Sequence, residues 1–263
     1  MRSKGKRLNE AIKATRKRAS VRREECQESI FRHWVGARID RLHDQHTLMR
    51  EELPRAGGLL ATSEGAPLIT VMGLTLLKHF RRGRPLAAQA EARRMADEAM
   101  GKLAEGGDRP IACRKGCFSC CTQPVTALVP EIVEIAGRLK TTLDERETAQ
   151  LRARIEKYRR RVNSAEPGRS RPLALCPLNV DGECSVYDIR PLLCRGYNSY
   201  DAAACERAAE EGFEGPTAIP IDLSTYMIAA AANLSLRLSA TYEGRELEPR
   251  DLVEALGEML ARP

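Results

Sequence analysis

The fold of this chain depends on the stretch Cys113-Arg114-Lys115-Gly116-Cys117-Phe118-Ser119-Cys120-Cys121, which places four thiols within nine residues. Charged and polar residues interrupt the run, so the cysteines cannot form the apolar stripe of a buried helix. Cys117 and Cys120 have the two-residue spacing at which a short turn presents two sulfurs to one ion, and Gly116 permits a tight turn before them. The stretch therefore predicts a metal centre built from thiols.

Cys113 and the adjacent pair Cys120 and Cys121 complete this first group. Cys113 can reach the same centre as Cys117, because a three-residue gap adds only one turn of loop. Neighbouring side chains diverge, so we expect only one of Cys120 and Cys121 to join that centre.

A second group of cysteines begins fifty-five residues after Cys121 and comprises Cys176, Cys184 and Cys194. Asp181-Gly182 predicts a turn in a hairpin-like loop that brings Cys176 and Cys184 together. Further on, Asp188 is predicted to cap a helix, and Cys194 falls one turn along that helix. We therefore expect the second group to supply further ligands.

The two groups together resemble a known family. Cys-x3-Cys-x2-Cys-Cys, then Cys-Pro-Leu, then Gly-x-Cys-Ser-Val-Tyr-x-x-Arg-Pro-x-x-Cys-Arg, is similar to the YkgJ-type cysteine-cluster proteins, described as a zinc- or iron-chelating domain. The matching residues run from Cys113 to Arg195, about a third of the chain, and include Tyr187, Arg190 and Pro191. Some members of the family look like flagellin lysine methylases, which are taken to carry an iron–sulfur cluster. The resemblance implies a metal region formed by Cys113, Cys117, Cys120, Cys121, Cys176, Cys184 and Cys194.

Seven candidate thiols exceed the four that one zinc ion or one iron–sulfur cluster takes. The surplus implies either a second centre or cysteines that support the first. Arg190 and Arg195 are candidate cofactor-binding residues, since they could hydrogen-bond to cluster sulfides or offset thiolate charge. Ordinary salt bridges are the alternative for both. We favour an iron–sulfur cluster of the 4Fe–4S type, with zinc as the alternative.

The spacing of Cys113, Cys117 and Cys120 also resembles the cluster motif of radical S-adenosylmethionine enzymes, whose large β/α barrel we do not expect here. It shows that three thiols so placed can hold a four-iron cluster.

Several other residues are not expected to bind the metal. Cys26 and Cys205 are interpreted as structural thiols, and His43 and His46, three residues apart, as a surface pair. We find no Gly-rich phosphate loop, nucleophile elbow or His-Glu metalloprotease motif, and we assign no catalytic residue. Whether the protein is an enzyme is left open.

Composition favours helices, because hydrophobic residues make up 43% of the 263 residues and aromatic residues only 4%. We predict a mostly α fold: a small helical domain with loop-borne cysteine clusters, preceded by a basic helical N-terminal arm. The predicted domains are a basic arm over 1–53, a helical connecting region over 54–105 and a cysteine-cluster domain over 106–263. Periodicity predicts helices over 68–80, 85–103, 130–139, 144–162, 224–238 and 249–261, without convincing strands.

The net charge of +7 lies in the arm, because residues 1–50 hold fourteen Lys and Arg against six Asp and Glu. A solvated, frayed helix is the simplest interpretation of residues 2–23; nucleic acid, an acidic protein or a membrane surface are the alternative partners. The basic start is unlike a secretory signal, and the longest apolar stretch, residues 67–77, is too short to span a bilayer. We therefore expect a cytoplasmic protein, with reduced thiols available to metal.

Three functions are compatible with these observations. The first is a metal-binding protein whose iron–sulfur cluster is structural or redox-active. The second is a cluster-containing, protein-modifying enzyme of the methyltransferase type. The third is a zinc-stapled interaction module whose basic arm binds nucleic acid or protein.

Overall fold

A computed structural model describes residues 65–106, 109–164 and 172–261. The predicted basic arm and its partners lie outside these residues. The chain divides into two compact units, Met1–Val71 and Met72–Pro263, and the cysteine groups belong to the second. The helices of the described residues are α1 (Gly65–Arg81), α2 (Pro85–Gly106), α3 (Val129–Thr142), α4 (Glu145–Asn163), α5 (Leu192–Gly196), α6 (Ala202–Glu210), α7 (Leu223–Tyr242) and α8 (Leu252–Ala261). The prediction of a mostly helical fold is confirmed.

Helix α7 buries eleven of its twenty residues and contacts α2 and α5. On α2, Ala88, Ala92 and Ala96 are fully buried and follow one another at intervals of four residues. Residues so spaced lie on one face of a helix, and their small side chains let another helix approach closely. These three alanines thus allow close packing between helices.

A hydrophobic core joins α3, α4 and α8. Ile132 and Ile135 of α3, Ile155 of α4 and Leu256 of α8 are all buried in it. Buried residues from the second cysteine region belong to the same core: Leu178, Val186 and Ile189. The loop that carries Cys176 and Cys184 is therefore held by apolar packing.

Within residues 65–106, 109–164 and 172–261, four short strands form two antiparallel pairs. β1 (Thr126–Leu128) pairs with β4 (Pro249–Asp251), and β2 (Asn179–Val180) pairs with β3 (Glu183–Cys184). Each strand has two or three residues, which is too short for an alternation of polar and apolar residues to show in a sequence. For that reason no strand is predicted from the sequence.

The predicted helix start at Pro249 is wrong. Residues 249–251 form β4, and α8 begins at Leu252. The Asp251 carboxylate accepts hydrogen bonds from the backbone N–H groups of Val253 and Glu254, at 3.0 and 3.1 Å. Asp251 therefore provides the helix cap, and the strand ends where the cap begins.

The predicted cap at Asp188 is also wrong. Asp188 lies inside a short 3-10 helix (Tyr187–Ile189), and α5 begins only at Leu192. Arg190 has a φ of −55° and a ψ of 148°, close to the polyproline II conformation that a following proline favours. Pro191 therefore separates the two helical turns, and Cys194 is the third residue of the second one.

Glu131 is a buried carboxyl group that ties three segments together. Its side chain accepts hydrogen bonds from the backbone N–H groups of Leu128, at 2.7 Å, and Leu192, at 2.8 Å. The Gln89 side chain on α2 donates a longer one, at 3.4 Å. Burial raises the pKa of Glu131, although these hydrogen bonds act in the opposite direction. The start of α5 is thus fixed by a residue of α3.

Among the described residues, we find no helix whose length and apolar character would let it cross a bilayer.

Candidate metal centre

The first cysteine group lies on a turn followed by a 3-10 helix. The Cys117 N–H donates to the Arg114 carbonyl at 3.0 Å, and Gly116 has a φ of 88°, which only glycine adopts without strain. The predicted tight turn is confirmed. Residues 119–122 form the 3-10 helix, so Cys120 and Cys121 are consecutive residues of one helical turn.

The second group contains the predicted hairpin. Asp181 and Gly182 have φ values of 51° and 84°, and Asn179 pairs with Cys184 across the turn. Two consecutive positive φ values are typical of a two-residue hairpin turn, for which Asp-Gly is a favoured sequence. The turn prediction is confirmed, and the hairpin holds Cys184 on β3.

The two groups are joined by a backbone hydrogen bond. The Cys176 N–H donates to the Cys121 carbonyl at 2.8 Å, across fifty-five residues of sequence. The Cys176 carbonyl in turn accepts from Asn179, so the same residue connects the first group to the hairpin. The structure thus brings the two cysteine groups together.

The thiols lie close enough to influence one another. Burial raises the pKa of Cys194, and Cys176, Cys120 and Cys184 raise it further. Burial also raises the pKa of Cys176 to about 11, again with a contribution from Cys184. A thiol whose pKa is raised in this way loses a proton when it binds a metal, so proton release would accompany metal binding.

Cys120, in the first group, influences thiols of both groups. A hydrogen bond with the Cys121 side chain is the largest cause of its raised pKa, and burial is the second. Cys120 is one of the thiols that raise the pKa of Cys113 in the first group and of Cys184 in the second.

In the described part of the chain, no group of three or more His, Cys, Asp or Glu side chains is placed so that it could hold a metal ion. The donor set nevertheless fits a thiophilic metal in chemistry, because every candidate ligand in the two groups is a thiol. Seven of these cysteines are neither fully buried nor exposed, and none forms a disulfide: Cys113, Cys117, Cys120, Cys121, Cys176, Cys184 and Cys194. The thiols therefore converge without forming a coordination sphere.

Cys205, interpreted from the sequence as a structural thiol, lies beside the first group. It is 5% exposed and sits on α6, which packs against the 3-10 helix of Cys120 and Cys121. Burial raises its pKa, and Cys117 and Cys120 raise it further. In the sequence, this position is marked by Ala204 and Ala208, small residues that share the buried face of α6 with Cys205 and allow another segment to approach closely.

Ser199 contacts Cys113 and two neighbouring segments. Its backbone N–H donates to the Cys113 sulfur at 3.2 Å, and its hydroxyl contacts the Asp201 and Pro220 carbonyls, each at 3.2 Å. The Ser199 carbonyl accepts from Ala112 at 2.8 Å. Ser199 is 1% exposed, so these contacts are shielded from water.

Arg190 is a cation whose charge acts on several of the candidate thiols. Its guanidinium stacks on the Tyr187 ring at 4.2 Å, and its positive charge lowers the pKa of Cys120, Cys184 and Cys194 against the larger effects that raise them. Its buried Nε has no hydrogen-bond partner among the described residues. A buried N–H without a partner is costly, which makes Arg190 a donor suited to a bound anion or cluster sulfide.

Arg195 is placed differently. It forms a salt bridge with Asp97 at 2.8 Å and donates to the Asp188 carbonyl at 2.6 Å. Burial lowers its pKa. Its Nε is also buried without a partner among the described residues. These contacts make Arg195 a link between α5 and α2, and its Nε–H is among the donors left for a cofactor.

A cavity of about 300 Å³ opens beside the first group. It lies between the cysteine turn and α6, and its lining includes Arg114, Cys117, Phe118, Glu206 and Glu210. Of the other residues considered from sequence, Cys26, His43 and His46 lie outside the described residues.

The chain matches no family model, and no curated protein or solved structure proved similar to it. The resemblance to the YkgJ-type proteins therefore rests on the motif residues alone.

Proposed function

We propose that this protein binds metal through its clustered cysteines and that the metal is an iron–sulfur cluster, in a structural or redox role. The observation that carries the proposal is the hydrogen bond between Cys176 and Cys121, which joins two cysteine groups distant in sequence. Thiols in a reducing compartment gather in this way chiefly to hold metal. A cytoplasmic location belongs to the same proposal.

Four cysteines suit a zinc ion and a 4Fe–4S cluster equally well, and one further observation favours iron–sulfur. Arg190 presents an unpartnered buried N–H beside the thiols, and cluster sulfides accept hydrogen bonds. A cluster bound by four thiolates carries net negative charge, which the guanidinium offsets.

The decisive experiment is analysis of the full-length chain purified without oxygen. Iron and acid-labile sulfide in equal amounts, with brown colour, are expected. A colourless protein with stoichiometric zinc would show that the bound metal is zinc and not an iron–sulfur cluster. A protein without either metal would refute the proposal.

The same analysis on Cys117→Ser and Cys194→Ser tests the ligands. Both substitutions are expected to lower the metal content, whereas Cys26→Ser, the matched control, is expected to leave it unchanged. Wild-type metal content in both variants would show that the two groups do not hold the metal.

A cluster-containing, protein-modifying enzyme is a second candidate, favoured by the cavity beside Cys117. Its lining joins an aromatic ring, Phe118, to the carboxylates of Glu206 and Glu210, which suit a cationic group. Equilibrium dialysis with S-adenosylmethionine tests this candidate. Saturable binding that Glu206→Gln weakens would support it, and absence of binding would exclude the methyltransferase form.

A further inference from the structure

Helix α4 carries a row of four cations, which we call the basic stripe: Arg146, Arg154, Lys157 and Arg161. They follow one another at intervals of eight, three and four residues, and residues at these intervals share one face of a helix. Arg154 is half-buried and the other three are exposed. The apolar residues of the helix lie on a different face, which is buried: Leu151, Ile155, Tyr158 and Val162. The stripe therefore faces away from the core and covers about 22 Å of helix.

The charge of the basic stripe is not compensated within the described part of the chain. The other arginines near the end of α4 have acidic partners: Arg159 pairs with Glu254 at 2.9 Å, and Arg160 with Glu156 at 3.6 Å. No residue of the stripe forms a salt bridge in the described residues. Glu147, an acid close to the same face, is engaged in the helix cap, where it accepts from the Asp144 N–H at 2.9 Å.

The exposed side of α2 shows the opposite arrangement. Arg94 pairs with Glu91 at 2.9 Å and with Glu98 at 3.0 Å, and Lys102 pairs with Glu98 at 3.1 Å. Opposite charges at intervals of three and four residues stabilise a helix, and like charges at these intervals destabilise it. The basic stripe has only like charges at such intervals. An anionic partner would remove their repulsion, whereas α2 needs no partner.

Two arginines of the basic stripe are oriented by neutral groups. The Arg154 Nε donates to the Pro177 carbonyl at 3.0 Å, and the Arg161 Nε donates to the Leu173 carbonyl at 3.5 Å. A carbonyl oxygen has no net charge, so these hydrogen bonds hold the guanidinium groups without neutralising them. Each guanidinium keeps further N–H donors for a ligand. Side chains that are already ordered lose less entropy when they bind an anion.

We propose that the basic stripe binds the phosphate backbone of a double-stranded nucleic acid without reading its base sequence. Arginine and lysine are the common donors to phosphate oxygens, and such contacts give affinity and orientation but no sequence preference. The length of the stripe matches roughly six base pairs at about 3.4 Å each. This function is separate from metal binding and does not depend on it.

Two other anionic partners fit the basic stripe less well. An interfacial helix buries an apolar face in the lipid headgroups, but the large apolar side chains of α4 are all buried in the protein. A single-stranded nucleic acid is held by aromatic rings on which its bases stack. Tyr158, the aromatic residue of α4, is buried in the core and leaves the stripe without such a ring.

Substitution of Arg146 and Lys157 tests the proposal, because neither forms a salt bridge or side-chain hydrogen bond in the described residues. The full-length chain is titrated into fluorescent DNA and RNA duplexes of random sequence, at several salt concentrations, and anisotropy is measured. Arg146→Gln with Lys157→Gln is expected to weaken binding roughly 10-fold per residue at about 0.1 M salt. The slope of log affinity against log salt concentration should become shallower by about one unit per residue.

Two matched variants complete the experiment. Arg94→Gln with Arg160→Gln also removes two exposed positive charges, but charges that have acidic partners, and wild-type binding is expected. Arg146→Lys with Lys157→Arg keeps the charges of the stripe and should keep the wild-type salt dependence. Circular dichroism and metal content are measured on the same preparations and are expected to be unchanged in all variants, so this test is independent of the proposed metal site.

Four results would overturn the proposal. Equal weakening in both glutamine variants would show that only net charge matters. Wild-type affinity in Arg146→Gln with Lys157→Gln would place nucleic-acid binding elsewhere in the chain. Failure of the wild type to bind either duplex would exclude this partner. Binding to phosphatidylserine vesicles in preference to both duplexes would show that the partner is a membrane surface.

Discussion

The backbone N–H of Leu192 donates a 2.8 Å hydrogen bond to the buried carboxyl group of Glu131, and Leu192 precedes Cys194 by two residues. A core residue of α3 thereby fixes the short helix that presents a candidate ligand. Because α5 has only five residues, it has little stability of its own and depends on such tertiary contacts.

Replacing Glu131 by Ala is expected to destabilise the protein by about 3 kcal/mol or more. The substitution leaves the N–H groups of Leu128 and Leu192 buried without an acceptor, and each such group costs roughly 1–3 kcal/mol. Urea unfolding of the wild type and the variant measures the difference. Glu156→Ala removes an exposed carboxylate from α4 and is the control, with an expected cost below about 0.5 kcal/mol. A cost below about 1 kcal/mol for Glu131→Ala would contradict this role.

Gly196 permits the close contact between α5 and α7. A Cβ atom at this position would lie 2.3 Å from the Ala229 Cβ and 2.9 Å from the Thr225 carbonyl oxygen. Gly196→Ala is therefore expected to cost about 1–3 kcal/mol through overpacking, and to displace Cys194. Thermal unfolding and metal content measure the two effects.

Gly137→Ala is the matched control for that substitution. Gly137 lies within α3, and a Cβ atom there would meet nothing within 4 Å. Alanine is the better helix former, so a gain of roughly 0.5–1 kcal/mol is expected. Equal effects of the two substitutions would show that the contact at Gly196 is unimportant.

Metal binding is expected to strengthen as the pH rises. Burial raises the pKa of Cys113 and Cys184 above the ordinary thiol value and that of Cys176 to about 11. Each thiol therefore releases a proton when it binds metal, and lowering the pH favours the metal-free form. Chelator competition at several pH values between about 6.5 and 8.5 measures the slope, which should exceed roughly one logarithmic unit per pH unit. A flat profile would exclude these thiols as ligands.

The same pKa shifts predict how the stability of the metal-free chain depends on pH. A thiol whose folded-state pKa is raised stabilises the folded state below the unfolded value of about 8.5. This contribution is lost as the pH rises through the folded-state pKa, which for Cys176 is about 11. Chelator-treated protein should therefore unfold more easily between about pH 9 and 11. A free energy of unfolding that stays constant over this pH range would contradict the raised pKa values of the buried thiols.

Arg190 is expected to support the centre through its buried Nε. Loss of a residue that hydrogen-bonds around a metal site commonly weakens metal binding by about 10- to 100-fold. Arg190→Gln should have an effect of this size, and Arg190→Lys, which keeps the charge but not the planar donor, a smaller one. Arg160→Gln removes an exposed arginine from α4 and should have no effect. Chelator competition distinguishes the three, and equal metal affinity in all of them would remove Arg190 from the site.

The sequence predicts most helices because their apolar residues recur at helical spacing, as in α3 and α4. It predicts the hairpin turn because Asp181-Gly182 suits two consecutive positive φ values. It does not predict β4, since a three-residue strand depends on pairing with β1, far away in the sequence. Proline at position 249 suits the start of a helix equally well, so local preference gave the wrong element.

The place of Cys205 could not be predicted for a similar reason. Cys205 lies near the first group because α6 packs on the 3-10 helix, and Ser199 contacts Cys113 from the segment that precedes α6. Neither contact is local in sequence. By itself Cys205 is one small residue on an alanine-rich helix. The spacing within the first group, by contrast, is local, and there the sequence and the structure agree.

The pairing of Thr126 with Asp251 has a consequence for how the protein is made. The strand directly after the first cysteine group finds its partner only when the ribosome has synthesised the segment just before α8. The strand pair that links the segment after the first cysteine group to the start of α8 is therefore one of the last contacts to form during synthesis.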